Sequence, residues 1–317
     1  MHSIEIVTPA PPKSLYGNRI TAQRWQGFLK KLGYKTAVTQ SWSGKDLDLL
    51  IALHAYRSYS SIKTFKEAHP NKPVLLMITG TDIYRDMLQH PEVHMSMKLA
   101  DAIVVLQPEA ITSIPERYKD KAHVIYQSVE IIKSREKPKR SFLLSVIGHL
   151  RPEKDPFCIV RAIPYLDEDS RVKIQHLGMA MNRDMKKSAL QYSKKIDRYS
   201  WLGERSHRKT LQELARSHIL VISSRMEGGA HVVSEAIAAG TPVIASAIAG
   251  NRGLLGKNYP GYFPVEDEHA LAQLIMKVET NPEFYQSLER HVKALQKQVQ
   301  PQRELASIKK LVRTLIS

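Results

Sequence analysis

Strand-like apolar segments alternate with amphipathic helical segments through the first 128 residues, and this alternation limits the folds open to the chain. The strand-like segments read SIEIVTP, LDLLIALH, PVLLMITG, AIVVLQ and HVIYQS. Regular alternation of strands and helices is typical of a parallel sheet with helices on both faces, the doubly wound α/β arrangement. The sequence therefore predicts an α/β domain in this part of the chain.

A polar, charged stretch from Val129 to Ser141 interrupts the pattern, which then resumes with FLLSVIGHL, VKIQHLG, RYSWLG, HILVISS and TPVIAS. A chain of 317 residues exceeds what one hydrophobic core usually holds. We therefore expect two Rossmann-like domains, residues 1–137 and 138–300, with the polar stretch as linker. Residues 301–317 have apolar side chains at helical spacing, and such a stripe must be buried against one of the two domains.

The chain is strongly basic, with a formal net charge of +16 at pH 7 and an isoelectric point near 9.7. This charge indicates an anionic partner, and nucleic acid is one class to consider. The sequence has no zinc-ligand spacing, no aromatic RNA-binding stretch and no dense block of lysine and arginine. The scattered basic residues favour a surface around pockets for small anions, and we expect no nucleic-acid partner.

The sequence indicates neither a secretory signal nor a membrane span, because no apolar stretch approaches ~18 residues. It also has no His/Cys cluster of ligand spacing. We therefore expect a cytoplasmic, soluble protein without a metal ion, a cofactor or a membrane partner, as a monomer or weak homodimer. The single cysteine, Cys158, lies in an apolar helical pattern and is interpreted as core.

Two glutamates, Glu227 and Glu235, are separated by seven residues that begin with Gly228–Gly229. Glycines permit a sharp turn that exposes backbone N–H groups. The following run, VVSEAIAAG, predicts a helix that ends at glycine. The N–H groups around Ala230–Val232 then form an anion site between two carboxylates, which suits a ligand with hydroxyls and phosphates. Alternatively, the glutamates only favour the helix dipole, by under ~1 kcal/mol each.

The segment GHLRPEKD, residues 148–155, follows the first strand of the second half. Arg151 and Lys154 project from this strand-to-helix loop, so they can reach a phosphate held near the helix of Glu235. His231, beside the glycine pair, is a candidate acid, base or hydrogen-bonding group. The alternatives are a solvated surface loop for the two cations and a structural role for the histidine.

The first βα junction lacks the GxGxxG fingerprint of dinucleotide-binding proteins. Its prolines hold the loop extended until Gly17, Asn18 and Arg19 open a helix, whose N-terminus can bind an anion. The alternative is an ordinary proline-rich loop before a helix.

Two further candidates lie at the predicted carboxyl edge of the first sheet, where open sheets bind ligands. His54 ends the third strand-like run, and TGTDIYRD, residues 79–86, follows the next. Asp82 is either a ligand-binding residue or a helix N-cap, and His54 is either functional or structural.

Three motifs of the second half occur in a known order: GHLRPEK, YSWLGERS, and EGGAHVVSE followed by AIAAGTPVIAS. Together they resemble the retaining nucleotide-sugar glycosyltransferases of family 4. The resemblance implies the GT-B fold, in which two Rossmann-like domains face each other across a cleft and the C-terminal helix returns to the N-terminal domain. It implies a metal-independent enzyme. One departure is His149, where the family usually has arginine.

The resemblance also implies roles in donor binding. Glu227 would contact the sugar hydroxyls, Glu235 the ribose, and Gly203 and Glu204 the uracil, while Lys154 would stabilise the leaving diphosphate. The donor-binding residues are then Gly17, Asn18, Arg19, His149, Arg151, Lys154, Gly203, Glu204, Glu227, Gly228, Gly229, Ala230, His231, Val232 and Glu235.

The first half narrows the resemblance. TPAPPKSLYGNRITAQRW, LIALHAYRS, TGTDIYRD and GHLRPEKDP look like the selenosugar synthases of selenoneine biosynthesis. Such enzymes join a UDP-sugar, here UDP-N-acetylglucosamine or UDP-glucose, to selenophosphate through a carbon–selenium bond. The implied acceptor-binding residues are Arg19, His54, Thr79, Gly80, Thr81 and Asp82. The implied catalytic residues are Glu227, Lys154, His54 and Asp82.

Two alternatives stay open. One is a family 4 glycosyltransferase that acts on a hydroxyl of a sugar or lipid. The other is a noncatalytic basic protein that binds nucleic acid.

Overall fold

The computed structural model describes residues 2–14 and 16–317. Leu15, which falls in the predicted first βα junction, lies outside the described residues. The chain divides into two compact units, one formed by Met1–Ser128 with Pro301–Ser317 and the other by Val129–Gln300. Each unit is built on a parallel sheet of its own.

Among its described residues, the first unit has a six-stranded sheet in the order β2-β1-β3-β4-β5-β6, and all pairings are parallel. The strands are β1 (Ser3–Val7), β2 (Lys35–Thr39), β3 (Leu49–Leu53), β4 (Val74–Met77), β5 (Ala102–Val105) and β6 (Ala122–Val124). The helices are α1 (Gly17–Lys31), α2 (Tyr59–Ala68), α3 (Thr81–Tyr84) and α4 (Pro91–Leu99), with 3-10 turns at Asp86–Leu88, Pro108–Ser113 and Glu116–Lys121. The strand order changes direction between β1 and β3, so the loops after these strands lie at a switch point, where open sheets bind ligands.

The second unit repeats this plan, with a parallel sheet in the order β12-β11-β10-β7-β8-β9 over the described residues. The strands are β7 (Phe142–Ile147), β8 (Val172–Leu177), β9 (Tyr199–Gly203), β10 (Ile219–Ile222), β11 (Val243–Ser246) and β12 (Tyr262–Phe263). The helices are α5 (Cys158–Ala162), α6 (Arg183–Lys195), α7 (His207–Arg216), α8 (His231–Ala239), α9 (Ala249–Leu255), α10 (Glu268–Thr280) and α11 (Pro282–Leu295), with 3-10 turns at Pro152–Lys154, Ile163–Tyr165 and Gln296–Val299. Here the switch point lies between β7 and β10.

The polar stretch interpreted as a linker packs with the second unit. The Val129 N–H donates to the carbonyl of Val299 at 2.8 Å. Further along, Lys137 forms an ion pair with Glu289 at 3.0 Å. Both the backbone and a side chain of this stretch therefore bond to other residues of the second unit.

The final helix, α12 (Pro301–Ile316), belongs to the first unit. Its apolar face, with Ile308, Leu311 and Val312, packs in a core with Trp25 and the strands of the first sheet. The predicted return of this helix to the N-terminal domain is confirmed. The reason is physical: a stripe of apolar side chains gains stability only where a complementary apolar surface is open to it.

A buried carboxylate fixes the position of α12. Glu304 is 3% exposed, and its oxygens accept hydrogen bonds from Arg24 Nε, Trp25 Nε1 and both the N–H and hydroxyl of Ser128. The Arg24–Glu304 ion pair measures 3.0 Å. A carboxylate at this depth is stable because every side of it meets a donor.

Candidate active site

The predicted turn, helix and strand around the two glutamates are present. α8 begins at His231, directly after the Gly228–Gly229 turn, and ends at Gly240 in the left-handed conformation, with φ 68°. Glu227 lies on the loop and Glu235 in the second turn of the helix. The start of α8 lies between the two carboxylates in the sequence, and the first N–H groups of a helix have no acceptor within the helix itself.

Glu227 pairs with the predicted phosphate-binding lysine. Lys154 Nζ lies 2.5 Å from Glu227 Oε1, and the same oxygen accepts from the hydroxyl of Ser224 at 2.8 Å. Lys154 ends the 3-10 turn that follows β7, and Ser224 and Glu227 follow β10. The two neighbouring strands at the switch point therefore bring this lysine and carboxylate together across 73 sequence positions.

His176 and Gly178 support the loop that carries Lys154. Burial lowers the pKa of His176 to about 3, so the ring is neutral at pH 7, and it forms hydrogen bonds with the backbone of Gly148 and the hydroxyl of Tyr199. Gly178 approaches this loop so closely that a Cβ there would lie 1.9 Å from the Gly148 carbonyl oxygen. Any larger residue at 178 would displace the start of the Lys154 loop.

His149, at the place where the family usually has arginine, has a structural contact of its own. Its Nδ1 accepts a hydrogen bond from the Met179 N–H at 3.2 Å. An arginine has no acceptor and cannot make this bond. Arg151 lies in the same loop, and its carbonyl accepts from the Lys154 N–H at 3.0 Å. Both residues thus help to shape the turn that presents Lys154.

The position of Glu227 depends on a glycine that the sequence reasoning missed. A Cβ on Gly250, in α9, would lie 2.2 Å from the Glu227 carbonyl oxygen. The helix can approach the Glu227 backbone only because residue 250 has no side chain. A glycine directly after the strand TPVIAS and an alanine-rich turn was the one sequence signal that could have indicated this contact.

Glu235 is only 5% exposed, and a residue absent from the predicted site is its partner. His207 Nε2 lies 2.7 Å from Glu235 Oε1, and His231 Nε2 lies 3.7 Å from the same oxygen. The hydrogen bond to Glu235 raises the pKa of His207. His207 opens α7 four residues after Gly203, so the predicted uracil loop, Gly203 and Glu204, leads directly to this pair.

In the first unit, Gly17, Asn18 and Arg19 form the first turn of α1, as predicted. The Nε and Nη1 atoms of Arg19 are buried, and no hydrogen-bond partner meets them among the described residues. Buried guanidinium N–H groups without an acceptor are costly. An anion at this position would satisfy them.

Asp82 shapes the loop that was predicted to bind the acceptor. It is 0% exposed, and its carboxylate accepts from the N–H groups of Thr79 and Gly80, at 3.0 and 2.7 Å, and from that of Ala55 at 3.0 Å. The helix that follows, α3, has Gly80 rather than Asp82 at its N-cap. The carboxylate therefore holds the loops after β3 and β4 together.

His54 is also enclosed, at 2% exposure, and has a φ of 76°, which is unusual for a residue with a side chain. Its Nδ1 accepts from the Arg57 N–H at 3.4 Å, and its Nε2 lies 3.1 Å from the Thr81 hydroxyl. Burial lowers the pKa of the ring, which favours the neutral form. The buried carboxylate of Asp86, which sequence reasoning did not select, lies 3.6 Å from Nε2.

The comparison with known families settles the class of protein. The model of the family "Glycosyl transferases group 1" matches residues 127–295, which is more than half of the chain. The chain belongs to the group 1 glycosyltransferases. This match contains Lys154, Glu227 and Glu235, and it removes the alternative of a noncatalytic protein.

Solved structures show the fold of this glycosyltransferase. HepE from Anabaena, in complex with UDP and glucose, has a TM-score of 0.79 at 14% identity, covering 99% of this chain and 100% of that one. A sucrose-phosphate synthase from Thermosynechococcus elongatus has a TM-score of 0.81 at 15% identity, covering 99% of each chain. A glycosyltransferase from Rickettsia africae has 0.74 at 14%, covering 100% and 99%. The predicted GT-B fold is confirmed; no curated protein sequence matches the chain.

Two further properties of the group 1 glycosyltransferase follow from its described residues. Within residues 2–14 and 16–317, no three His, Cys, Asp or Glu side chains are grouped so as to hold a metal ion. Over the same residues, every helix is too short or too polar to traverse a bilayer.

Proposed function

We propose that this glycosyltransferase transfers a sugar from a UDP-sugar, bound by the second unit, to selenophosphate, bound by the first. The observation that carries the donor half is the pair of carboxylates on either side of the N-terminus of α8, one of them bonded to Lys154. The structure of HepE with UDP-glucose supports a uridine donor, since that protein has the same fold.

In this proposal the two glutamates have separate tasks. Glu235, at the second turn of α8, accepts hydrogen bonds from the ribose hydroxyls, and Gly203 and Glu204 border the uracil. Glu227 accepts from the sugar hydroxyls. The N–H groups from Gly228 to Val232 lie between them and meet the diphosphate, because a helix N-terminus favours negative charge.

Lys154 links donor binding to bond cleavage. Its ammonium group already lies against Glu227, so it stands beside the point where sugar and diphosphate join in this proposal. As the bond from the anomeric carbon to the diphosphate oxygen breaks, negative charge grows on the UDP. A preorganised cation stabilises that charge more in the transition state than in the ground state.

The acceptor half rests on Arg19. Its two buried, unpaired guanidinium nitrogens call for an anion, and selenophosphate is one. Its selenium carries the electron pair that forms the new bond to the anomeric carbon, while the pair of the broken C–O bond leaves with UDP. No proton has to be removed from the nucleophile, so a neutral His54 is compatible with this acceptor.

His54 and Asp82 act on the acceptor through the loop that they hold. Because neither side chain is open to solvent, we assign them the positioning of Thr79, Gly80 and Thr81 rather than direct contact. The hydroxyl of Thr81 and the backbone of this loop are then the groups that meet the acceptor.

The test is a product analysis. The purified enzyme is incubated with UDP-glucose or UDP-N-acetylglucosamine, with and without selenophosphate, and UDP release and product mass are followed. We expect UDP release that requires selenophosphate and a product carrying the selenium isotope pattern. If UDP is released with sugar or lipid hydroxyl acceptors but not with selenophosphate, the acceptor is a hydroxyl group and the proposed acceptor is wrong. Inorganic phosphate at equal concentration controls for binding of a simple anion.

A further inference from the structure

Each glutamate of the candidate donor site is paired with a different kind of basic group. Glu227 has the permanently basic Lys154 at 2.5 Å, whereas Glu235 has the imidazole of His207 at 2.7 Å. The histidine is 63% exposed on its side chain, and the carboxylate beneath it is 7% exposed. One pair therefore has a fixed charge, and the other has a charge that depends on a proton.

Glu235 creates an electrostatic problem for the ligand that we assign to it. A UDP-sugar carries a diphosphate anion, and a buried carboxylate nearby repels it. At Glu227 the lysine removes this repulsion. At Glu235 the carboxylate is needed for the ribose hydroxyls, so only a partner with a positive charge can neutralise it without displacing it.

His207 can gain that charge without changing its contact. Nε2 donates to Glu235 in the neutral ring as well as in the cation, so protonation adds a hydrogen only at Nδ1. The ring is largely exposed, so water can deliver the proton. α7 packs against α8 and β7. The charged or titratable groups on those elements and on its own segment are Glu235, His231, Glu204, Arg205, Arg208, Lys209, Glu213 and Arg216.

We propose that His207 is a donor-binding residue that takes up a proton as the nucleotide diphosphate binds, and so neutralises Glu235. This inference rests on the proposed function, because it assumes a UDP-sugar on the second unit. Its contact with Glu235 already raises the pKa of His207 in the free protein, and a bound anion raises it further. Uptake is then largest at pH values between the free and the bound pKa.

A different outcome is possible at the same pair. The ribose hydroxyls could displace His207 from Glu235, in which case the histidine would lose its anionic partner and its affinity for a proton would fall. Proton uptake and proton release thus separate neutralisation from displacement.

Calorimetry measures this directly. UDP-glucose and UDP-N-acetylglucosamine are titrated into the full-length enzyme in two buffers with different ionisation enthalpies, from pH 6 to 8.5. The sugar diesters are used because a free terminal phosphate titrates itself near pH 6. We expect net proton uptake in the wild type. The affinity should weaken as the pH rises, by up to about tenfold per pH unit in the range where one full proton is taken up.

Three variants locate the proton. His207→Gln should abolish the uptake and flatten the pH dependence, with affinity near that of the wild type at high pH. His269→Gln, which alters an exposed histidine of the same unit, should behave like the wild type. Uptake that persists in His207→Gln and disappears in His231→Gln would overturn the assignment to His207.

The remaining outcomes separate this inference from the proposed function. Donor binding with no proton uptake, or with proton release, would overturn the inference and leave the donor assignment intact. If neither sugar nucleotide binds, the proposed function fails, and the inference fails with it.

Discussion

The two sheets place carboxylates at corresponding edges but use them differently. In the first unit, Asp82 is fully enclosed, and its oxygens accept from three backbone N–H groups. In the second, Glu227 and Glu235 are bonded to basic side chains, Lys154 and His207. A backbone N–H cannot leave its loop, whereas a lysine or histidine can turn towards a ligand. The hydrogen-bond donors around Asp82 at the first edge are therefore fixed in place, whereas the basic side chains at the second edge can also interact with a bound donor.

A buried carboxylate with fixed partners is also present near the end of the chain, at Glu304. Glu304 forms hydrogen bonds with Arg24, Trp25 and Ser128. These bonds connect α12 to α1 and to the residue at which the first chain segment of this unit ends. The same contrast thus holds away from the edge: the buried carboxylate of Glu304 accepts hydrogen bonds from three residues of the first unit itself. Variants of these groups should change stability in one unit and ligand chemistry in the other.

The largest effect is expected for Glu304→Ala. Removing one partner of a buried ion pair leaves Arg24 and the Ser128 N–H without their acceptor, at a cost of about 3 to 5 kcal/mol in the free energy of unfolding. Urea unfolding measures the loss. Glu283→Ala, at an exposed glutamate, serves as control and should cost under about 0.5 kcal/mol. A loss below about 1 kcal/mol for Glu304→Ala would show that α12 is held by its apolar face alone.

Lys154→Ala should change chemistry rather than stability. Loss of a preorganised cation is expected to lower kcat by about 10²-fold or more. Thermal unfolding of the variant should remain near that of the wild type, since the lysine is partly exposed. Lys173→Ala, an exposed lysine on β8, is the matched control. If kcat is unchanged in Lys154→Ala, the Lys154–Glu227 pair is structural, and the contrast between the two edges no longer holds at Glu227.

The parts of this architecture that are local in sequence could be predicted, and the parts that join distant residues could not. The glycine turn, the helix carrying Glu235 and the apolar stripe of α12 depend on spacings within one segment, so their patterns were sufficient. The strand β2 was not predicted, because it lies at an edge of the sheet and mixes exposed and half-buried residues, with no apolar run. An edge strand needs only one face and one neighbour to be stable.

Partners across the fold left no such pattern. His207 and Glu235 are 28 positions apart, and Arg24 and Glu304 are 280 apart. His54 and Asp82 were selected for their place at the sheet edge, which the structure has, but not for their burial, which depends on how the loops after β3 and β4 close over them. Residue type and position indicated a site; only packing decides which side chains of that site are open to a ligand.

Asp82→Asn sharpens the contrast from the side of the first unit. The amide would turn an N–H₂ donor towards backbone N–H groups, which leaves at least one of them unsatisfied and costs about 1 to 3 kcal/mol. We expect the loop 79–81 to shift, so that the KM for the proposed acceptor, selenophosphate, rises while the Kd for UDP is unchanged. Steady-state kinetics and calorimetry measure the two, with the exposed Asp120→Asn as control. An equal loss of UDP affinity would mean that Asp82 does not act through the acceptor loop alone.

The smallest effect is expected for His149→Arg, which restores the residue usual in the family. Arginine cannot accept from the Met179 N–H, so the variant should lose about 1 kcal/mol of stability. The Lys154 loop keeps its other supports, the buried His176 and the close approach of Gly178, so kcat should stay within about fivefold of the wild type. His149→Asn, whose side-chain oxygen can replace Nδ1 as acceptor, should retain the stability. An arginine variant that folds normally but has no activity would show that His149 itself meets a substrate, in addition to shaping the loop that presents Lys154.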